Sequence, residues 1–535
     1  MFRSKKQQAQ LLATYHQIKQ NFFNVDVIQR YFRKSDTQQA LQVISDKTYR
    51  DLDLDEVFEV IDRTVSAVGQ QYLYCVLRTL PPDAERARRQ EAIIKLLEED
   101  TTLKESVILQ LARLKRYEAY RIPSLVHDAY LEKPTWFWIV PALSLLSLAC
   151  VVLVFFYPLL LVLLIILLAG NYIIHLWNKT NLFKYSETIP QLLILHQVAR
   201  RLRSLSPFAE QNDEVKRAIT SLDRLSRQAL IFKWEATLQG DIGAMIDYLV
   251  EMIKALFLIE PQVLFRVLRE LDTQREAVDT LFCFVGEIDV ALSVASWRQS
   301  LPYYSRPTLT EPKKYLSGQE LYHPLVERFV ANSIELSETS ALLTGSNMSG
   351  KTTFIRTVGL NAWLAQTLNT ACARQLTLPR LRLYSAIRIS DDLMSDKSYY
   401  FEEVLTIKAM LEESRADTPA LFLLDELFKG TNTVERIAAG QSVLTYLNHG
   451  HNLVLISTHD RELADYLRGG YDQYHFSETV EGETIRFDYT LKPGPLTTTN
   501  ALRILELNDY PAEVVAEARR LSRQIAPPPP LPPSE

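Results

Sequence analysis

The stretch Thr344-Gly345-Ser346-Asn347-Met348-Ser349-Gly350-Lys351-Thr352-Thr353 decides the reading of the chain. It fits G-x-x-x-x-G-K-[ST], the phosphate-binding loop. The short apolar run Ala341-Leu342-Leu343 predicts the strand that feeds the loop, and the amphipathic stretch Phe354 to Leu368 predicts the helix that leaves it. The chemistry needs this context. Glycines let backbone N–H groups turn onto phosphate oxygens, and the helix N-terminus adds partial positive charge. In such a loop Lys351 reaches the β- and γ-phosphates, and the Thr352 hydroxyl holds Mg²⁺.

Two later strand ends support a nucleotide site. Ala420-Leu421-Phe422-Leu423-Leu424 is apolar throughout and ends in Asp425-Glu426. It predicts a buried parallel strand that delivers two carboxylates to the edge where ligands bind in α/β sheets. Asp425 suits the Mg²⁺ shell, and Glu426 suits a base that polarises the attacking water. Leu453-Val454-Leu455-Ile456-Ser457 predicts another buried strand, ending in Thr458-His459. His459 there can position the γ-phosphate; an ordinary strand-end histidine is the bland alternative.

These residues resemble one family. Gly345 to Thr353, with its Asn-Met pair, is similar to the ATPase loop of MutS-type DNA mismatch repair proteins. Asp425-Glu426-Leu427-Phe428-Lys429-Gly430-Thr431-Asn432-Thr433 resembles their Asp-Glu strand end and Gly-Thr-x-Thr loop. Ser457-Thr458-His459-Asp460-Arg461-Glu462-Leu463 resembles their Thr-His-x-x-Glu-Leu. The resemblance implies ATP and Mg²⁺ as cofactors. Gly345, Ser346, Asn347, Met348, Ser349, Gly350, Lys351, Thr352 and Thr353 would bind nucleotide, Thr352 and Asp425 the metal, with Lys351, Glu426 and His459 catalytic. The segment Ser390 to Ser398 resembles the part that crosses a dimer interface to the partner's nucleotide, with Ser398 matching its serine. His323-Pro324 and Phe329 to Asn332 match the lead-in, which makes Phe329 the adenine contact. The family thus implies a homodimer, and DNA as ligand.

The resemblance runs from roughly Tyr315 to Leu521. More weakly, Thr64 to Gly69 and Leu77 to Pro81 are similar to the start of the family's helical core, and Asp289 to Ala295 to its last helix before the ATPase. Phe428-Lys429 departs from the usual Gly-Arg, and Val434-Glu435 departs from the usual pair. Only Met1 to Arg50 precedes the core-like helices, which leaves no room for the family's mismatch-reading domain.

Composition bounds the rest. The 535 residues predict three or four domains. With 59 basic and 64 acidic side chains the net charge is −5, so DNA binding would need local basic patches. Cys75, Cys150, Cys283 and Cys372 show no C-x-x-C spacing, and this predicts neither disulfides nor a zinc site. The clusters Arg86, Arg88, Arg89 and Arg200, Arg201, Arg203 read first as solvated helix faces. Anionic lipid near the second cluster and DNA phosphate are the sharper readings.

The second organising feature is Trp136 to Trp177, which holds no Asp, Glu, Lys or Arg. A membrane helix needs about 20 apolar residues, so the run predicts two spans turning at Tyr157-Pro158. Trp136, Trp138, Tyr172 and Trp177 mark the outer ends, and Lys133, Lys179 and Lys184 place those ends in the cytoplasm. A buried soluble hairpin is the alternative, against which stands a surface apolar on every side. The hairpin falls where the family's helical core is interrupted by a DNA-gripping clamp. Met245 to Ile259 carries Asp247, Glu251 and Lys254, and predicts a packed helix broken near Pro261, with no third span.

The sequence therefore predicts an α plus α/β multidomain chain. An N-terminal helical segment (1–50) precedes a helical core in two parts (51–134 and 179–302) around a transmembrane hairpin (135–178). A P-loop, ABC-like α/β ATPase domain (303–496) follows, then a helical dimerising tail (497–525) and a disordered proline-rich end (526–535). The expected protein is a multi-pass ATPase of the cell (inner) membrane with its ATPase in the cytoplasm, acting on mismatched or structured DNA. The competing expectation is a membrane-bound mechanical ATPase with a protein or membrane partner. A transporter ranks last, because Leu-Ser-Gly-Gly-Gln is absent and one hairpin is too little for a pathway.

Overall fold

The computed structural model describes residues 5–19, 24–205, 208, 213–228, 243–346, 348–388, 399–481, 484–496, 505–506 and 510–525. The chain forms two compact units. The first holds residues 1–38, 59–76 and 88–299, and the second holds residues 39–58, 77–87 and 300–535.

The first unit is helical. Helix α1 (Ala67–Arg78) begins in this unit, at a buried carboxylate. Asp289, fully buried, accepts from Val65 N and Ser66 N at 2.8 Å and from Ser66 Oγ at 2.5 Å. It therefore anchors the two residues ahead of the helix, and Ser66 in turn caps the first turn by accepting from Gly69 N at 2.9 Å. Burial pushes its carboxyl up to about 6 against those hydrogen bonds. Gly69 is what lets it approach, since a Cβ there would lie 2.1 Å from Asp289 Oδ2.

Helices α2 (Ile139–Leu153) and α3 (Leu160–Ser186) form the hairpin, turning across Tyr157-Pro158. Two windows, Thr135–Leu153 and Leu160–Lys179, are long and apolar enough to cross a membrane. Most of their surface is exposed: Leu148, Val152, Leu161, Ile165, Ile166 and Ile173 all point outward. Trp136 and Trp177 meet edge-on at 4.9 Å between ring centres, at the outer ends. Further along come α4 (Gly243–Leu256), α5 (Ile259–Asp272) and the long α6 (Arg275–Ser300), whose buried face carries Asp289. The break between α4 and α5 comes at Leu258, whose φ is +47°, ahead of Pro261, which sits inside the first turn of α5. A proline there loses no helical hydrogen bond.

The second unit is α/β. Strands β1 (Ser340–Thr344), β2 (Arg382–Ala386), β3 (Ala420–Asp425), β4 (Leu453–Ser457), β5 (Tyr471–His475) and β6 (Lys492–Pro493) form one sheet, in the order β6-β5-β1-β4-β3-β2. All neighbours are parallel except the β5–β6 pair. Strands β1, β3 and β4 are buried along almost their whole length, which is why their sequences run apolar without alternation. Helix α7 (Lys351–Leu368) leaves β1, starting three residues earlier than its amphipathic pattern suggests. Helices α8 (Tyr399–Glu413) and α9 (Thr433–Leu447) flank β3 in sequence. A second sheet of four strands joins Thr308–Thr310, Tyr315–Leu321, Asn332–Ser337 and Gln375–Pro379.

Residues 39–58 belong to this α/β unit by side-chain chemistry. Asp51 accepts from Ser385 Oγ at 2.6 Å and from the backbone N–H groups of Ile387 and Arg388 at 3.1 Å. Arg356 pairs with Asp53 at 3.1 Å, and Gln42 bonds both N–H and C=O of Leu383. The stretch therefore includes a short strand, Gln42–Val43, as well as helices. Helix Ala512–Ile525 forms the second part of the expected C-terminal tail; most of the first part lies outside the described residues, as does the proline-rich end.

Candidate functional site

Register brings three strand ends side by side. Leu343 of β1 pairs with Ser457 of β4, and Ser457 pairs with Asp425 of β3. The glycine-containing loop, the Asp-Glu pair and the Thr-His pair thus leave one edge of one sheet. Two main-chain bonds tie the ends together: Thr458 N to Leu343 O at 3.0 Å, and Glu426 N to Ser457 O at 2.9 Å.

The loop itself has the geometry its glycines allow. Gly345 has φ +152° and Gly350 φ +106°. A Cβ on Gly345 would sit 2.8 Å from Phe476 O, so only glycine fits against that carbonyl. Ser349, buried, donates to Ser346 O at 2.8 Å and braces the turn. Ser346 Oγ donates to Glu478 Oε2 at 2.7 Å. Met348 is exposed, with φ +69°. Asn347 lies outside the described residues.

Lys351 is buried at the first turn of α7. Its ammonium donates to Gly345 O at 2.9 Å and Ser346 O at 2.8 Å, and stands 3.4 Å from His459 Nε2. Burial lowers its pKa, while Glu426 and Asp425 oppose the shift. Thr352 Oγ1 donates to Asp425 Oδ2 at 2.8 Å, and the other oxygen of Asp425 takes the Ser457 hydroxyl. A hydroxyl and a carboxylate at this spacing are hard oxygen donors of the type Mg²⁺ selects.

Glu426 is held from both sides. Its Oε1 lies 2.9 Å from His459 Nε2, and its Oε2 lies 3.0 Å from Lys429 Nζ. The His459 hydrogen bond, then Lys429, pull its carboxyl down to about 2 against the effect of burial. Such a group is a permanently charged acceptor and a weak store for a proton. His459 Nε2 faces both Glu426 and Lys351, so it donates to the first or accepts from the second, and its proton decides which. Asp460, next to it, is fixed by a two-point pair with Arg436 at 2.8 and 2.9 Å.

The turn after Glu426 is strained. Glu426 and Phe428 both adopt left-handed φ, +52° and +56°. For residues with a Cβ that conformation costs about 1 kcal/mol or more each. Glu403 on α8 helps hold it, accepting from Phe428 N at 2.5 Å. The Phe428 side chain is buried, and Tyr400 packs on it and against Gly430. Glu403 is buried, because α8 turns it onto this turn, and burial raises its pKa. Glu435 also finds a role. Its N–H donates to the N-cap Asn432 at 3.0 Å, and its carboxylate takes the Thr431 hydroxyl at 2.9 Å, a reciprocal closure of the start of α9.

Phe329 stacks on Tyr322 at 4.3 Å between ring centres. Its neighbour Asn332 reaches Tyr489 O at 2.9 Å, and the Tyr489 ring backs Gly350. Ser398 and the acids Asp391 and Asp392 lie outside the described residues. Sequence reasoning did not find Lys429, Glu403, Ser457 or Glu478 as site residues. Lys429 stood in the quoted loop, three residues from Glu426; nothing in the sequence pointed to Glu403.

Residues 341–526 match MutS domain V. The chain is 29% identical over 343 residues to the DNA mismatch repair protein MutS of Listeria welshimeri, covering 62% of this chain and 38% of that protein. It is 30% identical over 272 residues to the DNA mismatch repair protein MutS of Thermus aquaticus, covering 50% and 33%, and 32% identical over 267 residues to that of Thermus thermophilus, covering 49% and 31%. The chain thus spans less than two fifths of the length of these relatives. The domain V match and these partial similarities support placing the chain in the MutS family.

Proposed function

We propose that this protein is a membrane-anchored ATPase that binds and hydrolyses ATP at sites shared across a homodimer, and that turnover is coupled to mismatched or structured DNA. The observation that carries the ATPase reading is the single sheet edge on which Lys351, Thr352, Asp425, Glu426 and His459 converge. The similarity to MutS proteins supports ATP, Mg²⁺ and DNA; the two long apolar helices support the anchor in a cell (inner) membrane, with the ATPase in the cytoplasm.

The residues fit a nucleotide triphosphate. The glycine-lined loop leaves no room for a Cβ, and the buried ammonium of Lys351 lies among main-chain carbonyls that an anion can outcompete. Bound ATP with Mg²⁺ supplies the scissile γ-phosphoryl group and a cation that neutralises developing charge. Lys351 and the loop N–H groups hold phosphate oxygens, and Thr352 and Asp425 hold the metal. Glu426 orients and polarises water through a charge that stays fixed at every working pH. His459 reports phosphate binding: when Lys351 leaves its Nε2 for an anion, that nitrogen serves Glu426 alone. Phe329 contacts adenine, and Ser398 reaches the partner's site.

A second reading is favoured by the hairpin: a mechanical ATPase in the membrane that acts on a protein or on the bilayer without DNA. Steady-state ATPase activity of the detergent-purified chain separates the two, measured with and without duplex, mismatched and branched DNA at low and high salt. Stimulation that fades as salt rises supports the DNA reading, since phosphate contacts release counterions. Turnover indifferent to every DNA removes it, and absence of turnover removes the ATPase reading.

A further inference from the structure

The inference rests on the membrane reading of the hairpin and concerns a different segment, the elbow between α4 and α5. Three features of that elbow are unusual for a helix junction in water.

First, its depth. Asn171 Nδ2 donates to Leu256 O, the last residue of α4, at 2.6 Å, and also to Ser147 Oγ of α2 at 3.1 Å. Asn171 lies about eight residues, or about 12 Å of helix, inside the span that ends at Lys179. On the way in, Glu251 of α4 meets His175 Nε2 at 3.1 Å and Lys179 at 3.2 Å; on the way out, Glu260 of α5 meets His175 Nδ1 at 3.5 Å. The elbow therefore runs alongside α3 to well below the level of Lys179 and returns.

Second, its backbone. A helix junction leaves carbonyls without helical partners, and water normally takes them. Here side-chain amides do. Asn171 takes Leu256 O, while Gln262 Nε2 takes Phe257 O at 3.3 Å and Leu258 O at 3.2 Å. Leu258 itself is fully buried against Phe137, Val140 and Phe265. Internal partners for these three carbonyls are what a hydrocarbon environment demands.

Third, its charges cancel. Two carboxylates, Glu251 and Glu260, face two ammonium groups, Lys179 and Lys254, around the His175 ring, with Lys254 3.1 Å from Glu260 and 3.6 Å from Glu251. The outward face carries Met252 and Ile253, both exposed, which continue the exposed apolar surface of α2 and α3. Ionisable groups at membrane depth persist when they face inward and pair with one another.

We infer that Glu251 to Gln262 is a re-entrant element seated in the hydrocarbon layer beside the hairpin, with Met252 and Ile253 against lipid acyl chains. The hairpin is then the sheath of an elbow that belongs to the helical core, and movement of α4 and α5 is movement inside the bilayer.

The test uses the full chain with its four cysteines replaced by alanine, reconstituted in phosphatidylcholine vesicles. A nitroxide is placed at Met252→Cys, Ile253→Cys, Ile166→Cys as the mid-span reference and Tyr117→Cys as the aqueous reference. Collisions with oxygen and with a water-soluble nickel chelate are compared. The expected result is an oxygen-to-nickel ratio at 252 and 253 several-fold above that at 117 and below that at 166. A ratio at 252 and 253 equal to that at 117, with 166 in lipid, overturns the elbow and leaves the anchor standing. Exclusion of both reagents at 252 and 253 means that protein covers them, and also overturns it. Water access at 166 sinks the anchor and the elbow together. Hydrogen exchange of the unmodified chain in nanodiscs gives a reading free of substitutions: amides of 250–262 as slow as those of the hairpin support the inference, and exchange as fast as in exposed loops overturns it.

Discussion

Lys429 and Glu426 form an ion pair at 3.0 Å across a turn in which Glu426 itself is left-handed. The opposite oxygen of Glu426 belongs to His459. The carboxylate of the proposed mechanism is thus fixed in charge and direction by partners on both sides.

Glu426→Gln keeps the side chain's size and removes its charge. The expected outcome is a fall in kcat of about 10²–10⁴-fold with nucleotide binding retained. Single-turnover hydrolysis and filter binding of labelled ATP read the two separately; unchanged hydrolysis would remove the assignment of Glu426.

Lys429→Ala tests the ion pair through pH. The carboxyl of Glu426 is depressed from 4.5 to about 2, with Lys429 contributing to the shift after His459. A depressed carboxyl stays ionised in the folded chain down to its folded value, so its stabilising contribution is present above about pH 4.5 and is lost between there and about pH 2. Without Lys429 the folded pKa rises. The acid limb of kcat/KM, and acid unfolding of the α/β unit, should both move to higher pH; a profile that does not move refutes the pairing.

Glu403 acts on Glu426 through the turn, by holding Phe428 N. Glu403→Ala leaves that buried donor unsatisfied and the left-handed Phe428 less constrained, at about 1–3 kcal/mol of stability. Glu403→Gln retains an acceptor oxygen and should restore most of it. Thermal unfolding with kcat and KM measured side by side checks this. Loss of kcat in the alanine variant with KM preserved and rescue by glutamine is the expected pattern, and equal loss in both variants would contradict it.

Gly69→Ala probes the helical unit. The added methyl would meet Asp289 Oδ2 at 2.1 Å, so the carboxylate must leave the N–H groups of Val65 and Ser66. A buried carboxylate without its donors is costly, and a loss of about 3 kcal/mol or more is expected in urea unfolding. A shift within experimental error would mean that Asp289 does not anchor the start of α1.

Much of the candidate site's layout was legible because the pattern that builds it is local. A phosphate loop is built by consecutive backbone N–H groups, so Gly345 to Thr353 must be contiguous in sequence. The strands ending at Asp425 and Ser457 are buried on both faces, and an unbroken apolar run is the only sequence that tolerates this. The hairpin was legible for a similar reason, as one helix cannot bury a surface apolar on every side. Residues whose work is done for a distant partner were not legible. Glu403 looks like any acid on a helix until α8 turns it onto Phe428, 25 residues away. Phe428 and Lys429 looked like departures from a pattern; the structure shows a left-handed residue held by burial and a cation on Glu426.

The sequence by itself determined the strand–glycine loop–helix at Gly345 to Thr353, the carboxylate strand ends, the two long apolar helices and the order in which they come. Tertiary structure alone decided that Asp289 anchors the start of α1, that residues 39–58 join the α/β unit through Asp51, that Glu426 is clamped between His459 and Lys429, and that Asn171 and His175 receive the α4–α5 elbow. The physical reason is separation along the chain. A pattern of neighbours can be read wherever backbone geometry fixes their spacing. A buried polar pair between distant residues leaves no spacing to read, and its existence depends on which faces the packed elements bring together.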